Sequence, residues 1–218
     1  MDISQQDGHY ATLALDYYQG LIKTGLTTRQ LVQQYLAFGP INLKHVRLLK
    51  QMAGIRSTLL PISFGQVQFL PTGGASHGQT DWIGTFHLQH YLESGKKLQV
   101  RWGDYLGAEL NFRGSFRQGL HDACIIGELF VKIVHEIAAW GGLETTEVPQ
   151  CQEFLDCACA FHQQLRLNQT GYFQQFEEQH SRIFSKYLLD ETERATPELF
   201  EATVNYGLRQ IARLENYN

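Results

Sequence analysis

A disulfide framework, an excess of positive charge and a long apolar run are all missing from this sequence of 218 residues. The four cysteines, Cys124, Cys151, Cys157 and Cys159, form no Cys-x-x-Cys pair, and the opening MDISQQDGHY has none of the features of a secretory signal peptide. Reduced thiols and a cytoplasmic location are therefore expected. A net charge of −4 supplies no field that would draw the chain to a polyanion, so no nucleic-acid partner is expected. No apolar stretch reaches the length of a membrane span, which leaves room for peripheral membrane contact alone. A phosphate loop is also lacking: PTGGASHGQT at 71–80 is rich in small residues, but no Gly-Lys-Ser/Thr closes it, and it reads as a surface loop. What the chain does have is 43% hydrophobic residues, enough over this length for one domain, 1–218, to bury a core without cross-links.

Helical punctuation dominates the chain. Residues 8–23 predict a first helix, stopped near Gly25. Thr27 or Thr28 caps TRQLVQQYLAF, which Gly39-Pro40 ends, and Asn42 caps LKHVRLLKQMAG, which Gly54 ends. Lys44, His45, Arg47 and Lys50 read as the solvated face of this αα-hairpin. Residues 55–80 are the least helical, with a short strand at QVQFL. Asp81 caps an expected helix through WIGTFHLQHYLE, on which His87 and His90 sit at i, i+3, and KLQVRW at 97–102 is a second short strand or an extended lead. Pro149 opens a helix over QCQEFLDCACAFHQQLRL, Asn168–Gly171 is a turn, YFQQFEEQHSRIFSKYLL follows with Glu177-x-x-His180, and Pro197 opens the last helix. The expected fold is thus mainly α, a single-domain bundle of about seven helices with an irregular middle segment.

The centre of this reading is Glu109–Trp140. Taken as one helix, it places Glu128, Lys132 and His135 within about 40° of His121, on a polar stripe beside a wide apolar arc of Ile126, Leu129, Phe130, Ile133, Val134, Ile137 and Trp140. A buried ionisable seam is costly unless its members pair or bind an ion. His121, Asp122, Glu128 and His135 are therefore the candidate metal ligands, with Mg²⁺ favoured by the carboxylates and Zn²⁺ by the imidazoles. His121 and Glu128 lie two turns apart, roughly 10.5 Å along a straight axis, so one ion needs a helix break near Gly127 or ligands from elsewhere. Pairing of Glu128 with Lys132 at i+4 is the alternative without an ion. At 100° per residue, Cys151, Cys157, Cys159 and His162 scatter around their expected helix, so no zinc site is expected from them alone, and buried thiols account for the cysteines.

The run from Glu109-Leu110 through Arg117 to His121-Asp122, followed by Gly127-Glu128-Leu129-Phe130-Val131-Lys132, resembles the fourth protein family of coenzyme Q (ubiquinone) biosynthesis, whose signature is His-Asp-x-x-His and a distant Glu. The resemblance covers about 30 residues; Ile125 stands at the second His position, and the spacer to Glu128 is shorter than the family's. It implies a helical protein with an apolar groove for a prenyl lipid or quinone precursor, with Arg117 and Lys132 binding the ligand and His121, Asp122 and Glu128 at a divalent-metal site. Tyr17, Tyr18, Tyr35, Phe38, Phe173 and Phe176 are candidates to line such a groove. Two other classes stay open: a helical binding or regulatory module without catalysis, and an unrelated helical metal-dependent enzyme that joins His121 to Glu177 or His180. The sequence identifies no nucleophile with an adjacent base, and it leaves catalysis undecided and a homodimer open.

Overall fold

The computed structural model describes residues 1, 8–16, 18–39, 42–65, 67–74, 80–103, 106–145, 157, 159–167, 171–190 and 201. Contacts divide the chain into two compact units, Met1–Val131 with Thr146–Leu165, and Lys132–Thr145 with Arg166–Asn218. The described residues form eight strands and five helices, and the strands make three antiparallel sheets. The mainly α bundle expected from the sequence is therefore corrected to a mixed α/β fold. The expected helix start at Pro149, Cys151, the turn at Asn168 and, apart from Glu201, the expected last helix lie outside the described residues.

The first correction is at the beginning, where residues 8–23 hold a hairpin and no helix: β1 (Thr12–Asp16) pairs with β2 (Gly20–Thr24), Asp16 opposite Gly20. Oδ1 of Asp16 accepts the N–H groups of Tyr18 and Gln19 at 2.9 and 2.8 Å, and Gly20 takes φ +74°. A short carboxylate closing its own turn, with glycine in the left-handed region, outweighs the helical spacing of the apolar residues.

Helices α1 (Thr28–Phe38) and α2 (Leu43–Met52) lie where their caps predict. Thr27 and Gln30 form a reciprocal capping box, and Asn42 Oδ1 accepts from Lys44 and His45. On α1, Tyr35 stacks on Phe64 and meets Phe69 edge-on. Lys50 of α2 donates to the carbonyls of Ser57 and Leu59, holding the loop that enters the second sheet.

That sheet is β3 (Ile62–Phe64), β4 (Val67–Pro71) and β5 (Trp82–Gly84), in this order. The third is β6 (Leu88–Ser94), β7 (Lys97–Trp102) and β8 (Leu106–Asn111). The helix expected after Asp81 is replaced by β5 and β6. Its break is at His87, whose φ of +65° no α-helix accommodates, and a register shift between Leu88 and His90 blurs the period-two pattern. Gly95, at φ +59°, makes the tight turn into β7, where Leu98 and Val100 are buried between exposed neighbours. Trp102 Nε1 donates to the Gly84 carbonyl at 2.7 Å and ties the two three-stranded sheets together.

Helix α3 (Phe116–Trp140) starts seven residues later than expected, because 106–111 pair with β7. Ser115 caps it by accepting from Gln118, and the Glu93 carboxylate of β6 accepts the Arg117 N–H at 2.9 Å. In the first unit Phe116, Leu120, Ala123 and Cys124 join Leu59, Leu70, Ile83, Leu98, Val100, Leu110 and Phe112 in one core. Gly127 presses directly on the second sheet: a Cβ there would lie 2.6 Å from Ser63 Oγ and 2.7 Å from the Gly65 carbonyl. Helix α4 (Ala160–Leu167) begins in this unit.

The second unit contains the last part of α3 and α5 (Tyr172–Asp190). The Glu136 carboxylate accepts the N–H groups of Tyr172 and Phe173 at 3.1 and 2.6 Å and so caps α5. Lys132 Nζ lies 5.8 Å above the Tyr172 ring, and burial, reinforced by Glu136, pushes the Tyr172 hydroxyl above its usual pKa.

Candidate metal centre

His121 is the first residue of the site, placed on the second turn of α3. Its ring is half-buried, with Nε2 3.3 Å from Cys157 Sγ. Cys157 and Cys159 come just before α4, and His162 is on its first turn. Cys159 is the cap of this helix: its Sγ accepts the His162 N–H at 3.4 Å, and the same Sγ lies 3.1 Å from His162 Nδ1. The two imidazoles meet edge to face, centroids 5.0 Å apart. One donor atom from each of His121, Cys157, Cys159 and His162 lies within 4.8 Å of all the others, and this cluster can hold a metal ion.

The electrostatics favour neutral, metal-ready imidazole at His121. Burial holds its pKa below the ordinary 6.5; the Asp122 charge opposes this and Arg117 adds to it. His162 is the more enclosed ring, 1% exposed, and its Nε2 lies 3.4 Å from Glu128 Oε2.

The other residues singled out from the sequence go to separate places. Asp122 is buried, and Gln118 Nε2 donates to its Oδ1 at 2.8 Å. Glu128 faces His162. Arg117 contributes its backbone N–H to Glu93. His135 and Lys132 belong to the second unit, as do Glu177 and His180, where His180 stacks on Phe176. His87 and His90 occupy a turn and a strand, so they do not share a helix face as expected. Sequence reasoning set Cys157, Cys159 and His162 aside as ligands on their helical angles, whereas the structure brings them together with His121. The available signal was the short spacing Cys-x-Cys-x-x-His, two thiols and an imidazole within six residues.

Comparison of the chain with family models, curated proteins and solved structures gave no match.

Proposed function

We propose that this chain is a zinc-binding module of the interaction or regulatory kind, in which a structural Zn²⁺ held by His121, Cys157, Cys159 and His162 fastens the start of α4 to α3. The observation that carries the reading is the convergence of two sulfurs and two nitrogens within 4.8 Å. In a regular tetrahedron with zinc's usual bond lengths, donors stand roughly 3.3–3.8 Å apart. The Sγ–N separations of 3.3 and 3.1 Å need only a small expansion to reach this. Thiolate with imidazole selects zinc over Mg²⁺, which takes oxygen. Four protein donors also leave no open position for water or substrate, the pattern of structural rather than catalytic zinc. The cytoplasm is the fitting compartment, since reduced thiols are needed. The prenyl-lipid reading rests on the residues around 109–132 alone, whereas three of the four donors lie outside that stretch.

A second reading is favoured by one line of atoms, Cys159 Sγ to His162 Nδ1 at 3.1 Å and His162 Nε2 to Glu128 at 3.4 Å. Nucleophile, base and orienting carboxylate is the order a thiol enzyme uses. It leaves His121 and Cys157 unexplained, so the metal reading accounts for more.

Metal analysis of protein purified without added metal decides between them. One zinc per chain is expected, lost in Cys157→Ser and in His162→Ala. Cobalt reconstitution should give the absorption of a tetrahedral ion with thiolate charge transfer. Protein that takes up neither ion rules the reading out, and rapid alkylation of Cys159 alone would then favour the thiol nucleophile.

A further inference from the structure

The second helical turn after His121 ends at Glu128, a carboxylate on a largely buried stretch of α3, 10% exposed. A rise of roughly 10.5 Å over those two turns is too long for His121 and Glu128 to share one ion. The His162 ring fills the interval. Its Nδ1 faces the Cys159 sulfur at 3.1 Å, and its Nε2, on the far side of the ring, stands 3.4 Å from Glu128 Oε2, an ion-pair distance without the geometry of a hydrogen bond. His121 has the opposite sense, since its Nε2 is the atom beside Cys157. The backbone that carries Glu128 is fixed by its neighbour. The preceding Gly127 has no room for a side chain against Ser63 and Gly65, so α3 sits on the second sheet in a fixed rotation.

We infer that Glu128 is the positioning residue of the metal centre: when the ion binds, the 3.4 Å contact closes to a hydrogen bond from the Nε2 proton of His162 to Glu128, so His162 binds the ion through Nδ1 while His121 binds through Nε2. This rests on the zinc reading above. A histidine ligand needs its non-ligating nitrogen anchored, because the anchor selects the tautomer, stops the ring turning and raises the basicity of the ligating nitrogen. Among the described residues, Glu128 is the carboxylate placed to do this for His162. It also gives the buried carboxylate a purpose that an apolar residue of like size could not fulfil.

Two measurements on the zinc-loaded chain test it. The first is the long-range ¹H–¹⁵N spectrum of the imidazoles in the wild type. His162 is expected with Nδ1 on the metal and Nε2 protonated, and His121 with the reverse. The second is zinc affinity, by competition with a chromophoric chelator, of Glu128→Gln against the wild type. Loss of a carboxylate partner of this kind weakens metal binding about 10–100-fold. A merely structural Glu128 would lower the unfolding midpoint of the metal-free protein and leave the zinc affinity where it was. An unchanged affinity in a folded Glu128→Gln, or zinc on Nε2 of His162, overturns the inference while the zinc site stands. If Glu128→Gln does not fold, the wild-type spectrum alone decides. Absence of zinc binding by the wild type overturns both the inference and the reading beneath it.

Discussion

Replacing Gly127 with alanine should destabilise the first unit, and the structure gives the sign and the size. Alanine is the better helix former by about 1 kcal/mol, so on propensity alone the change would stabilise α3. Here the new Cβ would stand 2.6 Å from Ser63 Oγ and 2.7 Å from the Gly65 carbonyl, roughly 0.7 Å inside ordinary contact. One of these neighbours is backbone in the turn between β3 and β4, so relief requires moving a helix or a sheet. Overpacking of this kind costs about 1–3 kcal/mol, with more where backbone must shift, and it should exceed the propensity gain. Gly119 is the internal control. Its added Cβ would meet the tip of Leu70 at 3.2 Å, a side-chain end that can turn aside. Urea unfolding followed by circular dichroism and by tryptophan fluorescence, to which Trp82 and Trp102 of the first unit and Trp140 of the second contribute, gives the comparison. With a slope of about 2 kcal/mol/M, a net loss of 1–2 kcal/mol lowers the Gly127→Ala midpoint by about 0.5–1 M. Gly119→Ala should stay close to the wild type. A Gly127→Ala midpoint at or above that of Gly119→Ala would refute the reasoning.

Glu136→Ala should loosen the start of α5. It removes the acceptor of two backbone N–H bonds, a charged cap worth about 1–2 kcal/mol, and amide exchange at Tyr172 and Phe173 should quicken while exchange in β7 is unaffected. In the metal-free protein, stability should fall with acid through His121. Its folded pKa is held below 6.5, so the unfolded chain takes up the proton first. The stability is fully present above pH 6.5 and is lost as pH drops from there through the lowered folded value; His121→Gln should flatten that limb in thermal melts at stepped pH. Zinc affinity should weaken in the same direction, because protons compete for the same sulfurs and nitrogens, and a pH-independent affinity would exclude these ligands.

Where structure was fixed by neighbours in sequence, it was legible. Thr27 with Gln30 and Asn42 with Lys44 and His45 each close a cap within four residues, and α1 and α2 lie where those caps put them. Strands β4 and β7 were readable from alternation. The other strands were not, because their residues favour nothing strongly. LQHYLES and LGAELN are rich in Leu, Ala, Glu and Gln, which suit a helix at least as well. Pairing on both sides with β7 makes them strands, and that is a tertiary choice. At β1 and β2 a local signal existed in Asp16 and Gly20, but the i, i+3, i+7 spacing of Tyr10, Leu13 and Tyr17 in the sequence competes with it.

The candidate metal centre was half legible for a related reason. A seam on α3 that needs satisfying can be read from one helix, and it leads to His121 and Glu128. What satisfies the seam comes from residues 157–162, and their geometry depends on where α4 starts. At 100° per residue from an early helix start, Cys157, Cys159 and His162 point in different directions. Once the helix starts at Ala160, Cys159 turns into its cap and brings its sulfur back to His162. Cysteine is not among the residues that usually signal such a cap, so composition gave no warning of the boundary. The two-turn gap between His121 and Glu128 looked like an obstacle to a single ion. With an imidazole set between them, the same gap is the distance a ligand and its anchor require: in the proposed zinc site His121 would reach the ion directly, and Glu128 would reach it through His162.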